Sequence, residues 1–292
     1  MIPRFFDRWT SPHKRALPAL GERTVWMGIV NATPDSFSDG GHFLSPEKAA
    51  DHAQALVEAG ADIIDIGAES TRPEAEAISA DEEQARLLPV LMAVRERLPN
   101  VAISVDTYKA DTAQVAVQAG ADIINDIWGL KAEWKGDAHS SMAEMIARLK
   151  CPVVVMHNRV QPSKETGDNF WSALFQDMKE SLSLAHSCGV PRRQMVLDIG
   201  IGFGKTFEQQ VECLRESERL RAFGLPLLLG TSRKSSLVKI SNGLASRDEA
   251  TAASVVWAVA HGACDIVRVH DVGFVRRFEA VAEALAYKPD QT

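Results

Sequence analysis

The sequence predicts an α/β fold, a (β/α)8 TIM barrel in a single domain, on three observations. Eight apolar runs of strand length each end in or carry a polar or ionisable residue, and each interval between runs is long enough for one helix. The chain has 292 residues, close to the roughly 250 that one barrel occupies. Hydrophobic residues make up 46% and charged residues 24%, ordinary globular values that supply enough apolar side chain for a closed core.

The elements follow in order. The first run, VWMGIVN, ends at Asn31, and a helix opens at Ser45-Pro46-Glu47 with an N-cap serine and a first-turn proline, closing at Gly60. DIIDIG carries Asp65 and leads into a helix over 81–98, and AISVD ends at Asp106 before a helix over 110–119. DIIND ends at Asn125 and Asp126 before 139–149, and PVVVMHN ends at His157 and Asn158 before 170–187. QMVLD ends at Asp198 before 207–222, LPLLLGTSRK ends at Lys234 before 247–262, and DIVRVHD carries Arg268 and His270 before 274–286. Residues 1–22 form an N-terminal extension, 23–287 the barrel and 288–292 a tail.

A weak repeat supports the count. EAGADIID at 58–65, QAGADIIND at 118–126 and HGACDIVRV at 261–269 share a helix end, a glycine, a small residue and an Asp-led strand. Gly60, Gly120 and Gly262 sit where a helix C-terminus calls for positive φ. All three strands are even-numbered, which fits shared interior layers, and a common αβ turn would give the same pattern.

The formal net charge of -7 argues against nucleic acid as a partner, so any anion must be met by a local cluster. Cys151, Cys188, Cys213 and Cys264 have neither CxxC nor metal-type spacing and read as reduced core or helix residues. The opening MIPRFFDRWTSPHKRALPAL has no apolar leader, and no run approaches the roughly 20 residues of a membrane span. A cytoplasmic protein without membrane partners is the expectation.

Barrels place their chemistry where strands end, because the βα loops there build the pocket. Arg268 and His270 share a face of strand eight, and Lys234 ends strand seven with Ser232 at equal parity. The loops after these strands are a frequent phosphate site, so the three form a candidate anion cluster; the plainer alternative pairs Arg268 with a carboxylate. Asp106, Asn125 and Asp198 end strands three, four and six and suit a flat heterocycle with several N–H donors, unless each merely caps a helix. NATPDSFSDGG at 31–41 reads as a flap bearing Asp35 and Phe37, and ESTRP at 69–73 offers Thr71 and Arg72 to an anion. IGIGFGKT at 199–206 lacks GxxxxGK spacing and is no P-loop.

In order, NATPDSFSDGG, IDIGAESTRP, ISVDTYK, IINDIWGL, VVVMHN, LDIGIGFGKT, LLLGTSRKS and DIVRVHDV give nearly the whole barrel a resemblance to the dihydropteroate synthases of folate biosynthesis, a pterin-binding family. The resemblance implies a transferase, a sulfonamide target, that joins 6-hydroxymethyl-7,8-dihydropterin diphosphate to para-aminobenzoate, releasing pyrophosphate, with Mg2+. It implies pterin binding by Asp106, Asn125, Asp198 and Lys234, and a diphosphate site of Asn31, Arg268 and His270, with Asn31 also on the metal. It implies that Asp35, Phe37, Thr71, Arg72 and Pro73 belong to two loops over the diphosphate and aminobenzoate, with Phe203, Lys234 and Ser235 completing the aminobenzoate site. Asp35, Asp106, Lys234, Arg268 and His270 are the expected catalytic set.

Three positions depart from the family pattern: Ile199 stands where proline is usual after the strand-six Asp, and Ala68 and Glu74 stand where glycine is usual. A positive φ at either of the last two would cost roughly 1 kcal/mol. Two other readings compete, a pterin-binding paralogue without catalysis and a methyltetrahydrofolate-dependent methyltransferase, which has no diphosphate to hold. DEATAASVVWAVAHG at 248–262 is apolar over more than one face, and the family expectation is a homodimer through it.

Overall fold

The computed structural model describes residues 8–32, 45–70, 76–132 and 141–286. Eight parallel strands close in sequence order: β1 Val25–Asn31, β2 Ile63–Gly67, β3 Ala102–Asp106, β4 Ile123–Asp126, β5 Val153–Met156, β6 Met195–Asp198, β7 Leu227–Leu229 and β8 Ile266–Val269. Around them lie α1 Pro46–Glu58, α2 Ala80–Arg97, α3 Ala110–Gln118, α4 Met142–Leu149, α5 Gly167–Ser187, α6 Phe207–Glu216, α7 Ser235–Ile240, α8 Arg247–Ala260 and α9 Val272–Ala286. The expected TIM barrel is the observed fold.

Two helices differ from expectation. The helix expected over 207–222 ends at Glu216, and tighter 3-10 turns carry Ser217–Phe223 to Gly224 at φ 60°. There Arg221 reaches the Asp265 carboxylate and the Gly262 carbonyl, which draws this segment against the start of β8. The six residues of α7 are too few to show a helical period in sequence, so it was not expected.

Side-chain parity decides what the barrel can do. Val25, Met27, Ile63, Ala102, Ile123, Val154, Val196, Leu228 and Ile266 fill the lower interior, and Trp9 and Leu20 of the N-terminal segment pack against them from below. Successive inward positions lie two residues apart, so the same parity carries Asn31, Asp65, Asp106, Asn125, Asp198, Arg268 and His270 up to the mouth. The opposite parity faces the helices in a larger apolar layer that includes Trp26, Ile64, Ile103, Ile124, Val155, Leu197 and Val267.

The repeat has a structural cause. Asp62, Asp122 and Asp265 lead β2, β4 and β8, and each accepts a backbone N–H from the preceding strand: Trp26 at 2.9 Å, Ile103 at 3.0 Å and Leu227 at 2.8 Å. Each also pairs with arginine, Asp62 with Arg23, Asp122 with Arg15 and Arg95, and Asp265 with Arg221. Gly60, Gly120 and Gly262 have the expected positive φ, at 102°, 110° and 67°. The N-terminal segment joins this floor through Ser11, whose hydroxyl donates to Asp122 at 2.5 Å, and through Thr10, which exchanges bonds with the Gln194 amide.

Candidate active site

Register brings the expected residues of the first four strands into one row. Asn31 lies beside Gly67, Gly67 beside Asp106, and Asp106 beside Asn125. Gly67 brings the two strands together without a side chain between them, and a Cβ there would stand in ordinary contact with the Asp106 Cβ, at 3.4 Å. On the far side, Asp198 ends β6, and its Oδ1 accepts the Gly200 N–H at 2.7 Å. Burial pushes the Asp198 carboxyl above its usual range, against the pull of that bond and of Lys234.

Arg268 spans the centre. Its Nε donates to Asp65 Oδ2 at 2.6 Å and its Nη2 to Asp106 Oδ2 at 2.8 Å. Burial opposes the charge, but Asp65 and Asp106 outweigh it and hold the guanidinium above its ordinary pKa. The plainer sequence alternative, pairing with a carboxylate, is therefore present twice over, and an anion at Arg268 must share it with both acids. Asp65 also accepts from Asn125 Nδ2 at 3.3 Å, and its Oδ1 is buried without a partner among the described residues. Burial, opposed by Arg268 and assisted by Asp65, pushes Asp106 up to about 7.

Lys234 closes the other side. Its Nζ lies 4.3 Å from the centre of the Phe203 ring, and burial beside Arg268 lowers its pKa to about 8. Gly202, at φ 86°, leaves room for it: a Cβ there would stand 3.3 Å from the Lys234 Cδ and Nζ. Ser235 follows as the exposed first residue of α7.

Of the three members of the candidate anion cluster, His270 carries no charge: burial and then Arg268 lower its pKa to about 4, so it is neutral at pH 7. Ser232 Oγ accepts the His270 backbone N–H at 3.0 Å and lies 2.8 Å from Nδ1. With the Ser232 hydroxyl donating to Nδ1, the ring carries its one proton on Nε2, and His270 offers an anion a hydrogen bond in place of a charge.

Asp35, Phe37, Thr71, Arg72, Pro73 and Glu74 lie outside the described residues. Glu69, just before this second group, is used internally: it accepts from Tyr108, from Lys109 at 2.5 Å and from the Ile78 N–H. Asp126, of outward parity, accepts the Trp128 and Leu130 N–H groups of the turn that follows β4. Ala68 is absent from the described non-glycine residues with positive φ, so its departure from glycine brings no strain of that kind. Ile199 is buried in the core.

Two residues escaped the sequence reading of the site. Asp65 was visible as a polar residue in an apolar strand, but nothing local showed that it orients Arg268, 203 positions away. Lys205 lies in LDIGIGFGKT, a motif that is no P-loop and carries part of the family resemblance without giving the lysine a role.

A mouth with inward acids, an amide and two half-buried cations defines a site for a polar heterocycle with an anionic group. The pterin binding enzyme family model matches residues 27–270, and the chain belongs to that family. Among relatives, it is 44% identical to the dihydropteroate synthase of Clostridium beijerinckii over 87% of this chain and 91% of that one. Among solved structures, it is similar to the Clostridium difficile dihydropteroate synthase with pteroic acid, at TM-score 0.83 and 40% identity over 92% of this chain and 99% of that one. It is likewise similar to the Xanthomonas albilineans dihydropteroate synthase with 4-aminobenzoic acid, at TM-score 0.83 and 36% identity over 96% of this chain and all of that one.

Proposed function

We infer that this chain is a dihydropteroate synthase, a transferase that condenses 6-hydroxymethyl-7,8-dihydropterin diphosphate with para-aminobenzoate to give 7,8-dihydropteroate and pyrophosphate. The observation that carries the reading is the inward set Asp106, Asn125, Asp198, Lys234 and Arg268 at the mouth of a barrel similar to one that holds pteroic acid.

In this reading the bond from the exocyclic carbon to the diphosphate oxygen breaks, a carbon–nitrogen bond forms, and the attacking amine gives up a proton. Asp198, Asn125 and Asp106 accept or donate along the pterin edge, and the carboxylates favour the electron-poor ring that a dissociative path creates. Arg268 and His270 face the leaving diphosphate, one as a charge shared with two acids and the other as a neutral donor. Lys234 and Phe203 hold the aminobenzoate so that its nitrogen meets the carbon in line. The amine is itself the nucleophile, so no covalent enzyme intermediate is required.

Mg2+ belongs to the same reading. Asn31, the inward residue ending β1, would hold it. An ion of this kind keeps several waters and takes its remaining ligands from substrate phosphates, so one amide oxygen from the protein is in keeping with it. When bound, it neutralises charge on the departing pyrophosphate. A homodimer through α8 is supported by an apolar groove of about 290 Å³ between α6, α7 and α8, where Trp257 and Ile240 are each 46% exposed. A cytoplasmic location is part of the same proposal; no helix among the described residues is long and apolar enough to cross a membrane.

The deciding experiment is turnover. Folded protein with both substrates and Mg2+ should release pyrophosphate and form dihydropteroate; no product at saturating substrate would overturn the synthase reading. A methyltransferase would bind methyltetrahydrofolate with no need of diphosphate, and the catalytically silent paralogue would bind pterin without turnover.

A further inference from the structure

Behind the site, on the outward side of β5 and β6, lies a buried ionisable cluster that the reaction above does not use. The Lys205 ammonium donates to His157 Nδ1 at 2.8 Å, the Gly200 carbonyl at 2.9 Å and the Phe203 carbonyl at 3.0 Å, with the His157 carbonyl at 3.3 Å. These acceptors use its three protons, and no carboxylate touches it among the described residues. Burial lowers Lys205 to about 8. A charge held at that expense by neutral acceptors suggests a purpose for its geometry.

The cluster continues outward. Burial and then Lys205 lower His157 to about 4, so it is neutral, accepts at Nδ1 and donates from Nε2 to Asp177 Oδ2 at 3.0 Å. Burial alone would raise Asp177, yet hydrogen bonds from His157 and from Arg159, at 2.5 Å, hold its carboxylate below the usual range. Asp177 sits in α5, so the chain Asp177–His157–Lys205 ties a helix of the outer layer to the loop after β6.

That loop is built to lie on this cluster. A Cβ at Gly200 would stand 2.1 Å from the His157 carbonyl, and one at Gly204 would stand 2.3 Å from the Arg159 carbonyl. Within the loop, the Phe203 N–H donates to the Gly200 carbonyl, and Lys205 grips the carbonyls at both ends of this turn. The turn presents the Phe203 ring to Lys234. Asp198 precedes the turn as the last residue of β6, where its pairings with β5 and β7 hold it independently of Lys205.

We propose that Lys205, oriented by His157 and Asp177, is a positioning residue for the aminobenzoate half of the site, setting the Gly200–Phe203 turn that places the Phe203 ring against Lys234. The proposal rests on the synthase reading. It separates the two substrates: loosening the turn displaces Phe203 and leaves Asp198 in place.

The test compares Lys205→Met, His157→Leu and His157→Asn by melting temperature, kcat and the KM of each substrate. Lys205→Met keeps the length of the chain and removes the donors; it should raise the KM for para-aminobenzoate tenfold or more while that for pterin diphosphate stays within threefold. His157→Leu should shift the same KM in the same direction. His157→Asn, whose side-chain oxygen can stand where Nδ1 stands, should recover at least half of the His157→Leu loss on a logarithmic scale. A merely structural role would lower the active fraction and the melting temperature with both KM values unchanged, and that result overturns the proposal, as does an equal rise in both. If Lys205→Met does not fold, the His157 pair decides alone, and equal KM values for Leu and Asn overturn it. Wild type without turnover overturns the synthase reading and this proposal with it; wild-type turnover with unshifted variants overturns this proposal only.

Discussion

Aspartates at the two ends of the same barrel have opposite surroundings. At the floor, Asp62, Asp122 and Asp265 are each satisfied within the protein, by a neighbouring strand's N–H and by arginine. At the mouth, Asp198 takes a single hydrogen bond from the described residues, and Asp106 shares Arg268 with Asp65. Burial pushes both mouth acids up in pKa, to about 7 for Asp106. The floor uses its acceptors to fix strand register, whereas the mouth holds acceptors in a dry site at some cost to stability, which is what recognition of a heterocycle requires.

The largest expected effect tests the floor. Asp122→Ala removes the partner of Arg15 and Arg95 and leaves the Ile103 N–H and the Ser11 hydroxyl without their acceptor. Breaking a buried pair in this way should cost about 3–5 kcal/mol in urea unfolding, while the folded fraction keeps wild-type KM values. A loss under about 1 kcal/mol, or a changed KM, would erase the distinction between floor and mouth. Asp198→Asn should do the reverse. Replacing a charged acceptor by a neutral one should weaken pterin binding by roughly 1.5–3 kcal/mol in calorimetry, with little change in unfolding.

Proton linkage sharpens the contrast. Asp106 is raised in the folded protein to about 7 from the ordinary 3.8, so between those values the folded state holds more of its proton than the unfolded state does. Stability from this group therefore falls as pH rises through that window, by at most about 1.4 kcal/mol per pH unit. His157 and His270, both lowered to about 4 from 6.5, act oppositely: their contribution rises as pH climbs from about 4 to 6.5. Asp106→Asn removes only the first contribution, so its stability relative to wild type should increase steadily from pH 4 to 7. A flat difference would mean that Asp106 ionises in the folded protein as readily as in water.

How legible each part was in the sequence depended on the range of its interactions. Strands ending in Asn31, Asp106, Asn125 and Asp198 were readable because apolar runs and a period of two are local properties, and their shared inward parity follows from the same count. The purpose of the Gly-Ala-Asp repeat is not legible locally, since the partners of Asp122 include arginines 107 and 27 positions away. The neutrality of His270 is not legible in the sequence, because it depends on burial and on Arg268, neither of which strand parity reveals. Lys205 was overlooked because a motif rejected for phosphate binding left its lysine without a role, and the His157 that receives it is 48 residues earlier.

The smallest predicted effect concerns Ala68, where the family resemblance raised the prospect of strain at the mouth. It follows Gly67, where a Cβ would reach ordinary contact with Asp106, at 3.4 Å. Ala68 is 1% exposed and is not among the described residues with positive φ, so its methyl group fits both the backbone and the core around it. Ala68→Gly should therefore relieve nothing. It enlarges the freedom of the unfolded chain and should cost about 0.4–1 kcal/mol from that cause, with somewhat more for the lost methyl contacts. Thermal unfolding should show a small drop in Tm, and both KM values should stay within twofold of wild type. A gain in stability, or a lower KM for either substrate, would show that the mouth stores backbone strain at Ala68 and that its cost extends beyond the buried acids.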